Sequence, residues 1–286
     1  MGKIIAICNQ KGGTGKTTTI INICAYLAVS GKSVLLLDLD PQANATSGLG
    51  IDKYSTKKSI YNLILEDVPL EEVVLTTEIN NLKVVPANLD LTGAEVELVG
   101  MLGREHRLKK ALTPHREKYD FIFIDSPPSL GLLTVNALCA ADSVLIPVQC
   151  EYYALEGLTQ LINTINLVRD NLNSYLNIEG IVLTMADFRT NLTNQVIAEV
   201  QKYFQQDVYI PAAHRPRVYE TIIPRNIRLT EAPSFGKPIV LYDKNSVGGQ
   251  KYQELTNEIL GLCSESLDIV PQGTHMSRDS LDNESK

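Results

Sequence analysis

The sequence predicts an α/β fold, a doubly wound and mostly parallel sheet with helices on both faces. Three observations predict it. Short runs rich in Ile, Val and Leu recur along the chain, several of them apolar throughout, as strands covered on both faces are. Helix-like runs alternate with them. The first apolar run leads into a glycine-rich loop and two others end on an aspartate. Polar chemistry therefore gathers at the carboxyl ends of strands, where ligands of such sheets bind.

Residues 3–8 are the first strand candidate. Asn9-Gln10-Lys11-Gly12-Gly13-Thr14-Gly15-Lys16-Thr17-Thr18 follows, and apolar periodicity then predicts a helix over 17–29. Strand, glycine loop and helix start together make the setting of a phosphate-binding loop. Glycines let backbone N–H groups turn inward and approach phosphate oxygens. In such a loop Lys16 reaches the β- and γ-phosphates and the Thr17 hydroxyl ligates Mg²⁺. The spacing G-x-x-x-x-G-K-T asks for glycine at position 10, where Gln10 stands, and a further lysine, Lys11, precedes the double glycine. Lys11 either adds a second cation beside a triphosphate or reaches towards something else.

Residues 33–37 form the second strand candidate and run into Asp38-Leu39-Asp40-Pro41-Gln42. Two aspartates two apart share a face in extended chain, and Pro41 starts a loop. Asp40 can orient an attacking water near a γ-phosphate; the plainer alternative is an acid that caps the turn after a strand. Residues 82–86 are a third strand, and 121–124 a fourth that ends on Asp125, the Walker-B form in which an aspartate holds Mg²⁺. Further strands are expected over 143–147, 178–184 and 221–223, and further helices over 89–98, 104–112, 132–140, 155–171, 191–205 and 249–262.

The net charge of −7 excludes nucleic-acid binding by bulk charge, so any such site must be a local patch. The five cysteines contain no C-x-x-C pair and read as reduced core residues. No signal peptide precedes the first strand and no apolar run is long enough to span a bilayer, so a cytoplasmic protein is expected. Residues 1–263 read as one domain. The tail over 264–286, with five acids and two basic residues and little periodicity, is expected to be disordered.

These motifs together resemble the ParA/Soj family of chromosome- and plasmid-partition ATPases, in the MinD/ParA group of P-loop proteins. Lys11 to Thr18 resembles the group's deviant Walker A motif, Asp38 to Thr46 its switch I, and Asp125-Ser126-Pro127-Pro128-Ser129 its Walker B and switch II. Ile223-Pro224-Arg225-Asn226-Ile227-Arg228-Leu229-Thr230-Glu231-Ala232-Pro233-Ser234 resembles the partition family's own late signature. The resemblance covers roughly residues 1–262.

It implies ATP and Mg²⁺ as cofactors and an ATP-dependent homodimer. Lys11 crosses to the other subunit's phosphates. Lys16 and Thr17, with Gly12, Gly13, Thr14, Gly15 and Thr18, serve the subunit's own nucleotide. Asp40 supports hydrolysis and Asp125 the metal, while Pro224, Asn226 and Met185 lie near the adenine. The resemblance also implies non-specific binding of double-stranded DNA through Arg189 and Arg228, nucleoid association, and a ParB-like centromere-binding partner that stimulates hydrolysis. Composition adds Arg215 and Arg217: from 215 to 228 there are four arginines and one acid. The alternative is that these arginines pair with the acidic body. One departure stands out. About ten residues, 210–219, intervene between Val208-Tyr209 and Glu220-Thr221, and a surface loop beside the DNA-binding face is expected there.

The alternative within the group is a MinD-like membrane-associated ATPase, which needs a C-terminal amphipathic helix. The tail after Cys263 is acidic and broken by Pro271 and Gly273, so no membrane partner is expected. An iron–sulfur carrier needs cysteines presented at a dimer axis, and Cys139 and Cys150 lie in apolar runs instead.

Overall fold

The structure, a computed structural model, describes residues 2–151, 154–206 and 216–262. Seven strands form one sheet: β1 (Lys3–Ile7), β2 (Val34–Asp38), β3 (Leu75–Thr76), β4 (Leu82–Val85), β5 (Phe121–Asp125), β6 (Ser143–Gln149) and β7 (Asn177–Thr184). Their order is β3-β4-β2-β5-β1-β6-β7. All neighbours are parallel except the β3–β4 pair. The helices are α1 (Lys16–Val29), α2 (Asn44–Gly48), α3 (Ile60–Leu65), α4 (Leu70–Val73), α5 (Leu91–Val99), α6 (Arg107–Leu112), α7 (Leu132–Ala140), α8 (Ala154–Asn171), α9 (Asn191–Gln206), α10 (Ile227–Glu231), α11 (Ile239–Tyr242) and α12 (Val247–Ile259).

The two-residue period of a strand divides the core between two faces. Ile4, Ala6, Leu35 and Leu37 pack on one side with Leu63, Leu91, Leu108, Leu133, Leu161 and Val200 from α3, α5, α6, α7, α8 and α9. Ile5, Ile7, Val34 and Leu36 pack on the other with Ile20, Ile23 and Leu27 of α1 and Tyr252 and Leu255 of α12. β2 is buried along its whole length, which is why the run from Val34 to Leu37 is apolar throughout. The expected doubly wound sheet is therefore the observed one, with most boundaries within two residues. Short elements such as β3, α2, α4 and α11 have too few residues to show a period.

Two expectations change. Residues 221–223 do not form a regular strand. The chain from Arg217 to Arg225 runs parallel to β7, through isolated bridges at Ile181–Val218 and Ala186–Pro224. Tyr219 N donates to Ile181 O at 3.0 Å and Ile223 N to Leu183 O at 2.9 Å. Between them, the amides of Glu220 and Thr221 donate to the Glu258 carboxylate of α12 instead, which interrupts the ladder. Nor are residues 216–219 a free surface loop. Tyr219 is 2% exposed, and Arg217 O accepts from Ile181 N at 2.7 Å. Residues 210–215, which include Arg215, lie outside the described residues, as do Cys263 and the tail over 264–286. Cys8, Cys24, Cys139 and Cys150 are buried free thiols, as expected.

Close approach of this segment requires glycine at 180. A Cβ there would meet the Tyr219 ring at 2.5 Å and Arg217 O at 2.9 Å. Gly180→Ala should therefore lower stability by about 1–3 kcal/mol through overpacking. Urea unfolding checks this, and an unchanged midpoint would show that the segment is not anchored on β7.

Candidate functional site

The loop between β1 and α1 needs glycine at two points, because Gly13 and Gly15 have φ of 75° and 83°. Gly15 is the N-cap of α1 and supplies no side-chain cap. The first N–H groups of the helix have no intrahelical partners, which suits this end of α1 to an anion. Side chains brace the loop from below. Asn9 Nδ2 donates to Pro147 O at 2.6 Å and Asn9 Oδ1 accepts from Lys11 N at 3.0 Å. Thr184 Oγ1, at the end of β7, donates to Thr14 O at 2.8 Å. Gly12 and Gly13 are exposed, Thr14 and Lys16 are buried, and Thr17 and Thr18 are half-buried. Burial pushes the Lys16 ammonium below its usual pKa, while the charge of Asp125 chiefly opposes that shift.

Asp38 and Asp125 are paired in register at the carboxyl ends of β2 and β5, and both are fully buried. Their environments differ. Asp38 Oδ2 accepts from Thr46 N at 2.8 Å and Thr46 Oγ1 at 2.7 Å, and Oδ1 accepts from Asp40 N at 3.2 Å. Burial pushes Asp38 up to about 6, and these donors hold it from going higher. Among the described residues, Asp125 has no hydrogen-bond partner on either oxygen. Burial, then the charge of Asp38, raises its pKa; the nearby Thr17 hydroxyl, without a well-formed hydrogen bond, and Lys16 pull it back. A buried carboxylate with both oxygens free, beside a threonine hydroxyl, is a hard oxygen donor set and fits Mg²⁺. Asp40 sits two residues beyond Asp38 and its Oδ1 accepts from Gln42 N at 2.9 Å. It is 8% exposed, at the lip of the same space.

Next to the loop lies a cavity of about 840 Å³, lined by Gly15, Thr18, Met185, Phe188, Pro224 and Asn226 among others. Met185, Pro224 and Asn226, which the family resemblance puts near an adenine, thus line one cavity. Met185 holds a φ of 53°, unusual for a side-chain-bearing residue. Asn226 Oδ1 caps α10, accepting from Arg228 N at 2.9 Å. Tyr252 also lines the cavity and its hydroxyl meets Thr19 Oγ1 at 3.0 Å, which fixes α1 against α12.

The basic residues are ion-paired. Lys11 Nζ lies 3.0 Å from Glu151 Oε2, and Arg225 lies 3.0 Å from Glu151 Oε1. Arg189 forms a two-pronged pair with Asp187, whose carboxyl is thereby held at about 2. Arg228 contacts Glu231 at 2.9 Å and Asp243 at 3.5 Å. Arg189 lines the cavity and Arg228 follows its lining residue Ile227. Arg217 is not brought to them: it pairs with Glu258 at 2.7 Å and stacks over Tyr219. Sequence reasoning passed over Thr46, Glu151 and Thr184. Thr46 lay inside the switch I resemblance and Thr184 immediately before Met185, but nothing local marks either as a hydrogen-bond partner.

The sequence profile of the AAA domain family matches residues 2–178. The sporulation initiation inhibitor protein Soj of Bacillus subtilis is 57% identical over 91% of this chain and 98% of its own length. The chromosome partitioning protein ParA of Myxococcus xanthus is 55% identical over 91% of this chain and 88% of its own. Among solved structures, cobyrinic acid a,c-diamide synthase of Mycobacterium smegmatis, with bound ATP analog and magnesium, matches at a TM-score of 0.75 and 35% identity, over 91% of this chain and 95% of that one.

The raised carboxyls have a measurable consequence. A carboxyl whose folded-state pKa exceeds its unfolded value binds its proton more tightly in the folded state, so stability rises as pH falls towards that unfolded value. The ligand-free protein should thus gain stability from Asp38 and Asp125 between pH 7.5 and 5. Urea midpoints across that range should fall with rising pH, and Asp125→Asn should flatten the trend. An equally steep trend in the variant would contradict the role of Asp125.

Proposed function

The chain belongs to the Soj/ParA family of chromosome-partitioning ATPases, and on that premise we propose that it is an ATP-driven partition switch that binds DNA as an ATP-dependent dimer. The observation that carries the reading is Asp125: a buried carboxylate, unpartnered on both oxygens among the described residues, at the foot of a glycine loop and beside Lys16.

In this reading the amides from Gly12 to Thr18 and the Lys16 ammonium bind the ATP phosphates, and Thr17 and Asp125 hold Mg²⁺. The metal supplies neutralisation of charge on the phosphate oxygens. Desolvation sharpens what Lys16 does, because a cation in a water-poor site attracts phosphate more strongly than one in water. Met185, Pro224 and Asn226 face the adenine. Asp40 orients the attacking water, with one carboxylate oxygen already engaged by Gln42 N and the other left for that task.

Lys11 serves the partner subunit's ATP, so it must leave Glu151. That costs little, since both side chains are about two-fifths exposed and such pairs contribute about 0–1 kcal/mol. Two cations per triphosphate then neutralise charge that one subunit leaves uncompensated. The same arithmetic applies to DNA. Arg189 and Arg228 are exposed and are held by partly exposed carboxylates, with which phosphate can compete. Arg217, paired with Glu258, stands apart from that patch. Release follows when a ParB-like protein stimulates hydrolysis. The ATPase domain spans residues 1–263, followed by an acidic tail, and the protein acts in the cytoplasm on the nucleoid, not on membranes.

Sedimentation velocity with ADP and with ATP, with and without non-specific DNA, tests the reading. Wild type should be monomeric with ADP and dimeric with ATP. Lys16→Ala should not bind ATP, and Lys11→Ala should bind it as a monomer. Asp40→Ala should dimerise on DNA and lose about 10²-fold or more in turnover; wild-type turnover there would refute the assignment. Arg228→Glu should dimerise but fail to shift DNA in a gel, and a normal shift would remove that residue from the interface.

A further inference from the structure

We propose that Asp38 is a positioning residue for hydrolysis: its carboxylate fixes the backbone that presents Asp40, and Thr46 fixes that carboxylate. The proposal rests on the reading of Asp40 as the group that orients water. Asp38 is not available for that task itself. It is fully buried and its oxygens already accept three hydrogen bonds, from Thr46 N, Thr46 Oγ1 and Asp40 N.

The direction of each bond is fixed. Ala87 N donates to Thr46 Oγ1 at 2.9 Å, so the Thr46 hydroxyl accepts from the chain after β4 and donates its proton to Asp38. One side chain pair thereby ties the end of β2, the chain after β4 and helix α2 into a single frame. Asp40 hangs from this frame by its own amide. Downstream, Gln42 N returns to Asp40 Oδ1 and Ala43 N to Asp40 O at 2.9 Å, closing the turn that leads into α2.

Only a carboxylate satisfies this arrangement. The donors arrive on both oxygens, Thr46 on one and Asp40 on the other. Asparagine offers one accepting oxygen and one NH₂ group that cannot accept. If its oxygen faces Thr46, its NH₂ faces the amide of Asp40 and the turn is pushed away. A plain turn cap at a strand end would need one acceptor and would tolerate asparagine. Burying an acid beside a second buried acid, Asp125, is unfavourable for the fold alone, and the three donors indicate what that acid is retained to hold.

The test is a double-mutant cycle on the full chain, read by single-turnover hydrolysis of ATP, by the Kd of a fluorescent ATP analog and by thermal melting. Asp38→Asn should lower the hydrolysis rate by about tenfold or more, the scale on which small misplacements of catalytic groups act, while the Kd stays within about threefold. In an Asp40→Asn background the same substitution should cost nothing further, because a residue that acts through another has no separate effect. Thr46→Val should reproduce the loss, and Thr46→Ser, which restores the hydroxyl, should recover it; this pair decides the matter if Asp38→Asn does not fold. Losses that multiply in the double mutant, or that appear equally in Kd and rate, overturn the proposal. If Asp40→Asn itself hydrolyses ATP as wild type does, the reading of Asp40 fails, and Asp38 falls with it.

Discussion

Lys16, Asp38 and Asp125 share one water-poor space at the head of the sheet, and the rest of the structure depends on how their charges are balanced. A buried ion must be paired or hydrogen-bonded, or its charge is unfavourable by several kcal/mol. Asp38 is balanced by the chain's own donors. Lys16 is balanced in part by Asp125. Asp125 itself is not satisfied by any hydrogen bond among the described residues. The protein alone is therefore electrostatically unfinished, and on the proposed reading a divalent cation and a polyphosphate complete it. Strand order makes this possible: β1 lies between β5 and β6, so the loop after β1 falls directly above the end of β5.

The sheet was legible because central parallel strands are buried on both faces and so carry unbroken apolar runs, as in Val34 to Leu37. The strand-end placement of Asp38 and Asp125 was legible for a related reason. An acid directly after such a run can lie only at a strand end, and in this topology that is the ligand side. Lys11, Gly13, Gly15 and Lys16 were legible because few residue types tolerate their backbone or supply their charge.

What was not legible depends on long-range pairing. The partner of Lys11 is Glu151, 140 residues away, and nothing in either neighbourhood names the other. The same holds for Thr184 and Thr14, 170 residues apart. The segment after Pro216 read as a free loop followed by a strand, because its Val, Tyr and Ile content suits β structure. Its amides are partly claimed by Glu258 of a helix that follows much later in the chain. The basic stretch was read correctly as arginine-rich, but its arginines separate. Arg225 lines the cavity and Arg228 lies next to it, whereas Arg217 is drawn away by Glu258.

The interrupted segment beside β7 has a consequence for self-association. A long, regular outermost strand exposes a row of unpaired amides and carbonyls that can template cross-molecule β-pairing. Here one margin of the sheet ends in β3, only two residues long and running opposite to its neighbour. The other is overlaid by a stretch whose ladder is broken at Glu220 and Thr221 and which carries Pro224, a residue without an amide hydrogen. Among the described residues neither margin offers a flat template, so edge-to-edge stacking into fibres is discouraged.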